Sequence, residues 1–457
     1  MRLNTRRSLW SVLVVTLGCE IGESAESGPG DAAADPTYAT AELAAVGSLA
    51  NLQLFSNPSG QHATFSTAGR TKLSHPFFLP LGTNGRACST CHEPAAGWSL
   101  TPPQIQQRFD ATGGTDPLFR PVDTTNNANA DVSTVAARSA AYSLFLSRGV
   151  VRFHFAPPPG AEFQVLFSDD PYGNDPNLGL TVFRRPLPAS GMKFVSSVMW
   201  DGRGLDPANA GTGGRTGALT EQALDAHQGH SEPVTDPTAA QLSAIVNLEI
   251  GIFTAQQTDN AAGSLTGGGG LGGAKKLATQ TGAAGPFTLF NAWPTTSTTQ
   301  PARAAIRRGQ DLFNTMPITM SGVRGLNTEA EPVIQGTCGT CHDMANVGSQ
   351  TTFSAFDIGV SAASRRTSDV PLHTLYNPTT GESVSMTDPG RAMVTGLWSD
   401  LGRFKSPSLR GLASRAPYFH DGSAATIEDV VEFYDGRFQI GMSAEDKADM
   451  AAFLRAL

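Results

Sequence analysis

Basic charge, cysteine and long apolar runs are all scarce in this chain, and each shortage closes off a class of function. The 32 Lys and Arg are outnumbered by 40 Asp and Glu, and without the N-terminal Arg2, Arg6 and Arg7 the balance is 29 against 40, or -11. A chain of that sign is repelled by a phosphate backbone, which argues against nucleic acid as a partner. No apolar run is long enough to span a bilayer; the run at residues 9–17 falls short of the roughly 20 residues a crossing needs. It follows a basic stretch ending at Arg7 and stops at Gly18-Cys19, the pattern of an export signal over residues 1–18. Cys19 stands where the acylated cysteine of a bacterial lipoprotein would stand, although Thr16 and Leu17 depart from the usual residues before it. A periplasmic protein, anchored to the outer membrane if Cys19 is lipidated, is expected, with lipid-free secretion as the alternative.

Only five cysteines are present, and four of them fall in two copies of one spacing, Cys88-Ser-Thr-Cys91-His92 and Cys338-Gly-Thr-Cys341-His342. C-x-x-C-H is the attachment signature of c-type haem: two thiols reach the two vinyl positions of one porphyrin, and the imidazole that follows binds the iron. A zinc ribbon also pairs C-x-x-C, but at about 15 to 20 residues' separation, whereas these pairs lie 250 residues apart. A thioredoxin-like pair needs a βαβ context that neither motif has. Two covalently bound c-type haems are expected, with Cys88, Cys91, Cys338 and Cys341 as attachment points and His92 and His342 as iron ligands.

At 457 residues the chain can bury a sizeable core. Its 49 Gly and 30 Pro point to long ordered loops. Residues 19–42 lack periodic apolar positions and read as a flexible tether. The first motif then belongs to a domain over 43–300 and the second to one over 301–457. Residues 132–146 are apolar enough for a helix, and 150–155 and 163–167 suggest two short strands joined across the Pro157–Pro159 turn, peripheral to a mainly helical core. Asp236 and Pro237 read as N-cap and first residue of a helix carrying Leu242, Ile245, Val246 and Glu249 on one face, with 219–226 as its partner. The glycine tract 267–273 breaks regular structure. Ala302, Ala305, Ile306, Gly309 and Phe313 recur at helical spacing. Thr426 with Asp429, and Ser443 with Asp446, look like capping boxes ahead of two further helices.

The stretch 404–434, FKSPSLRGLASRAPYFHDGSAATIEDVVEFY, resembles the bacterial di-haem cytochrome c peroxidases and their MauG-type relatives. Met199-Trp200-Asp201-Gly202-Arg203 is similar to their F-W-D-G-R segment and Glu221-Gln222-Ala223 to their E-Q-A. The resemblance covers residues 86–457, with 100–195 and 257–300 looking like additions. It implies a mainly α fold of two cytochrome c-like haem domains with long irregular loops and a few short peripheral β-strands. It also implies peroxide chemistry at the first haem, electrons supplied by the second, Trp200 as the relay between them, Gln222 orienting the bound oxygen and Glu232 moving the proton.

Departures from the family pattern leave alternatives open. No His occurs between Glu93 and Phe153, where reductively activated members carry the residue that blocks the first iron. That iron is then open, as in MauG-type proteins, unless His154, His227 or His230 caps it. Tyr434 falls where those members place a distal Met at the second haem; Met442 is the competing ligand. The family's interdomain Ca²⁺ meets Ser139 in place of Asn, together with the carbonyls of Arg415 and Pro417. The implied partners are hydrogen peroxide or O₂, and a small cytochrome or cupredoxin donor. A MauG-like or rubber-oxygenase-like oxidase of a protein or organic substrate, and a non-catalytic di-haem electron carrier, are the alternatives.

Overall fold

Local signals at the C-terminal end become helices as their caps demand. The Thr426 side chain accepts from the Asp429 N–H while Asp429 reaches back, opening Ile427–Phe438, and Ser443 with Asp446 does the same for Ala444–Arg455. Pro301, whose missing N–H costs nothing in a first turn, opens Pro301–Thr315. That helix turns Ile306, Gly309 and Phe313 onto Ala444–Arg455, which offers Met450, Phe453 and Leu454. Phe287, Phe313 and Phe453 meet edge to face, their centroids 5.2 to 5.7 Å apart. Each such buried ring stabilises the fold by about 1.5–3 kcal/mol. Gly309 is needed for the approach, because a Cβ there would lie 2.0 Å from the Asp449 carbonyl.

The computed structural model describes residues 47–204 and 214–457; the expected signal, tether and Cys19 lie outside these described residues. The two helices expected in the first half are present, as Gly214–His230 and Ala239–Gly251. The cap of the second is Thr238, not Asp236: Thr238 and Gln241 exchange bonds in a capping box, while Asp236 accepts instead from Gln228 Nε2 at 2.9 Å. The stretch 132–146 forms two short helices, Val135–Ala141 and Ser143–Arg148, rather than one. The glycine tract carries no helix or strand, and Ala274–Ala278 begins directly after it.

Strands go well beyond the expected few. Among the described residues there are eleven α-helices and fifteen short strands in six small sheets. The strands expected around 150–155 and 163–167 exist but do not form a hairpin. Val151–Phe155 pairs with Leu180–Arg184, and Gln164–Asp169 pairs with Leu372–Tyr376 from the other half of the chain. The first is not peripheral, since Phe155 shares a buried cluster with Leu180, Val182, Leu375, Met386 and Met393, whereas the second lies at the surface as expected, with Leu166 and Phe167 exposed. A four-stranded sheet built from Leu54–Asn57, Gly60–Ser66, Ile252–Asp259 and Gly263–Ser264 backs the first C-x-x-C-H motif. Its His62 Nε2 meets the Pro94 carbonyl at 3.1 Å.

Candidate functional site

The first motif is a single helical turn, Cys88–Cys91, tightened by the Ala87 N–H donating to Thr90 Oγ1 at 3.0 Å. His92 follows at its end, and its Nδ1–H donates to the Trp98 carbonyl at 3.1 Å. Trp98 is in turn pinned by its indole N–H to Thr64 Oγ1 at 2.7 Å, and Phe77 packs against both rings. In the second motif the Cys338–Thr340 turn is capped by Thr337, and His342 Nδ1–H donates to the Gly348 carbonyl at 2.6 Å. Both histidines thus commit Nδ1 to a backbone carbonyl six residues onward. That makes Nδ1 the protonated nitrogen and leaves Nε2 as the one a metal would take; the Leu187 carbonyl also bears on the His92 ring. Burial lowers the proton affinity of both rings.

All four thiols are free. Burial pushes Cys88, Cys338 and Cys341 up to about 12 and Cys91, for the same reason, to about 11. Neutral, apolar thiols suit thioether attachment better than thiolate ligation of a metal ion. Among the described residues there is no group of three or more His, Cys, Asp and Glu placed to hold a metal ion.

A cavity opens beside the second motif and is lined by Cys338, Cys341, His342, Tyr434 and Met442. The Tyr434 ring lies among Phe419, Phe433 and Phe438. Burial, and then the neighbouring Cys341 and Cys338 sulfurs, push its phenol well above the usual range. An apolar chamber with two thiols and an imidazole on one wall and a phenol in reach of them fits a covalently attached haem. At the first motif the paired thiols and the imidazole with a committed Nδ1 repeat the same donor set. The Ca²⁺ site fits poorly: Ser139 is exposed on a helix, and the Arg415 carbonyl accepts from the Arg185 guanidinium at 3.1 Å, a cation where a second cation would have to sit.

Trp200 reaches the same cavity as Cys338 and His342. Its indole N–H donates to the Arg185 carbonyl at 2.8 Å, and the Arg185 N–H donates to the His420 carbonyl at 2.6 Å. The His420 ring stands 6.4 Å from Trp200 and stacks on Phe404 at 4.2 Å. His420 is buried, with Nδ1 unpartnered; it lies inside the motif-bearing 404–434 stretch, yet nothing local marked it as a site residue. Asp201 is locked below the usual carboxylate range because Arg203 and Arg184 overcome its burial, which holds the Trp200 turn in place.

Gln222 is half-buried on Gly214–His230. Glu232 is exposed just past that helix, in a left-handed conformation with φ 48°. Its carbonyl accepts from Thr83 Oγ1 at 2.6 Å, tying it to the loop before the first motif. Of the histidines that could cap the first iron, His154 has both ring nitrogens engaged, by Arg152 Nε at 3.3 Å and Thr181 Oγ1 at 3.2 Å. His227 is buried with Nε2 at 3.4 Å from the Thr235 carbonyl. His230 is bonded through Nδ1 to Asp123, a residue for which the sequence offered no signal.

No protein-family model matches the chain. It is 43% identical over 70 residues to the cytochrome c551 peroxidase of Nitrosomonas europaea, a match covering 15% of this chain and 21% of that protein. Over 122 residues it is 30% identical to the cytochrome c551 peroxidase of Pseudomonas aeruginosa, covering 26% of this chain and 30% of that one. A cytochrome-c peroxidase of Denitromonas iodatirespirans is 38% identical over 78 residues, 16% of this chain and 21% of its own length. The chain therefore spans less than a third of the length of the curated relatives it matches. A solved MauG-like protein associated with microbial copper homeostasis aligns over 61% of this chain and 74% of its own, at 17% identity and a TM-score of 0.31, too loose a likeness to fix the fold. Over these shared stretches the chain is similar to bacterial cytochrome c peroxidases.

Proposed function

We propose that the chain is an exported di-haem c-type oxidoreductase that reduces hydrogen peroxide at a haem on Cys88, Cys91 and His92. Electrons pass from a second haem on Cys338, Cys341 and His342. In this reading the haems sit in two cytochrome c-like domains, 43–300 and 301–457, and a small cytochrome or cupredoxin is the donor. One observation carries it: two C-x-x-C-H turns, 250 residues apart, present two half-buried free thiols and an imidazole with Nδ1 committed to a carbonyl six residues on. Bound haem supplies an iron that takes up peroxide and exchanges single electrons.

The chain supplies the rest. Trp200 borders the second cavity and is anchored through Arg185 to the His420 segment, which suits an aromatic relay. Gln222 orients the substrate in this reading, and Glu232 is the family's candidate for moving the proton. A MauG-like oxidase of a protein or organic substrate is the second reading. The observation in its favour is Tyr434, which lines the cavity of the second motif alongside the competing Met442.

The test is the EPR and optical spectrum of the ferric protein before and after peroxide. The proposal expects a first iron that reacts without prior reduction, oxidation spreading to the second haem, and loss of that spread in Trp200→Phe. Low-spin irons that respond only after one electron is added point to a reductively activated peroxidase. No response even then makes the protein an electron carrier and removes the proposal.

A further inference from the structure

Asp123 lies in the turn-rich loop that follows Phe119, and its buried carboxylate draws two groups together. Its Oδ2 accepts from Arg86 Nη1 at 2.7 Å and from His230 Nδ1 at 2.6 Å. Burial alone would raise its pKa, but Arg86 and His230 overcome that and hold it at about 2. It is therefore an anion at neutral pH, and the shared proton belongs to His230 Nδ1. Only Nε2 of that ring remains to meet another molecule.

The pair is built rigidly. The Arg152 N–H donates to the Asp123 carbonyl at 2.7 Å, and the Arg152 guanidinium spans the Pro121 and Val122 carbonyls at 2.8 and 3.0 Å. The His230 carbonyl accepts from Asn84 Nδ2 at 2.8 Å and Arg86 Nη1 at 3.2 Å. This straps the end of its helix onto the residues just before Cys88. The ring stands edge-on to Phe153 at 6.1 Å, and Phe153 packs in the same cluster as Cys91. It also bears electrostatically on His92. At 35% exposure its side chain has access to solvent. The other charged groups around the pair are Arg86 and Arg152 beside Asp123 and Glu232 near Arg86. The exposed Glu232 is held only through its backbone carbonyl, so its carboxylate has no fixed aim.

We propose that His230, positioned by Asp123, is the acid–base residue of the first haem pocket and does the proton work that the family resemblance gives to Glu232. The proposal rests on the peroxide reading. His230 Nε2 takes the proton from one peroxide oxygen and returns it to the other as the O–O bond breaks. The bonding electron pair leaves with that second oxygen, which departs as water. The first oxygen becomes the second water with two electrons from the haems, refilled by a one-electron donor, and two protons from solvent. Midway, the Asp123 carboxylate stabilises the imidazolium that forms.

The experiment uses the full holoprotein and two probes, peroxide and cyanide, because hydrogen cyanide must also surrender a proton as it binds. His230→Gln is expected to slow both reactions by about 10²-fold across roughly pH 5 to 8 while leaving the ferric optical spectrum unchanged. Asp123→Asn shifts the pH profile of cyanide association, and Asp123→Glu recovers part of the rate. Unchanged rates in His230→Gln overturn the proposal. So does a turn from low-spin to high-spin iron with faster cyanide binding, which would make His230 an iron ligand. Should Asp123→Asn fail to fold, the half-exposed His230→Gln decides alone. If wild type ignores peroxide yet His230→Gln still slows cyanide, the peroxide reading fails and the dyad stands.

Discussion

Glu249 is a buried carboxyl whose ionisation opposes the fold. It sits in Ala239–Gly251 at 8% exposure, with Oε2 unpartnered, and burial, with no cation to offset it, pushes its carboxyl from 4.5 up to about 8. At about 1.4 kcal/mol per unit the rise comes to about 5 kcal/mol. Below pH 4.5 the acid is neutral in both states and contributes nothing. Between 4.5 and about 8 the unfolded chain ionises while the folded one stays protonated, so stability falls as pH rises, and above about 8 the loss is complete. Glu249→Gln keeps the shape and removes the ionisation. Urea unfolding of wild type and variant, followed by circular dichroism from about pH 4.5 to 9, should show the variant gaining on wild type by up to about 5 kcal/mol across that window. Parallel stability curves would refute the reasoning, because they would mean that the buried carboxyl finds a partner or water in solution.

Gly309→Ala sets helix propensity against packing. Alanine is favoured by about 1 kcal/mol inside a helix, but its Cβ would meet the Asp449 carbonyl at 2.0 Å and Phe453 Cβ at 2.7 Å. Net destabilisation of about 1–3 kcal/mol is expected in chemical unfolding; a stabilised variant would contradict the helix contact. Tyr434→Phe removes the phenol that lines one cavity with Cys338 and Cys341. If that oxygen ligates the second iron, the variant's second haem rises in reduction potential in a redox titration, because a hard anionic donor favours ferric iron; an unchanged potential and spectrum would return Tyr434 to packing.

What could be read from sequence was what local chemistry dictates. Haem attachment needs its thiols and imidazole at one spacing, and Thr426 and Ser443 cap their helices through partners three residues away. Even locally, two good caps side by side misled: Thr238 wins over Asp236 because Gln241 can reciprocate, while Asp236 is taken by Gln228. Contacts made across the chain were not legible. His230 meets Asp123 across 107 residues, in a stretch where Asp and Asn look like ordinary turn formers. Gln164–Asp169 finds its partner strand at Leu372–Tyr376, and an alternation of apolar residues names a strand without naming its neighbour. Trp200 carried a motif, but its tie through Arg185 to His420 depends on how the 404–434 stretch folds back against residues 185–200.

The account stands on two haems per chain, one on Cys88 and Cys91 and the other on Cys338 and Cys341. Intact mass together with a pyridine haemochrome assay, on protein from cells competent in haem attachment, measures this directly. Two covalent haems are predicted, falling to one in Cys88→Ala/Cys91→Ala and to one in Cys338→Ala/Cys341→Ala. A wild-type mass equal to the processed polypeptide alone would contradict it.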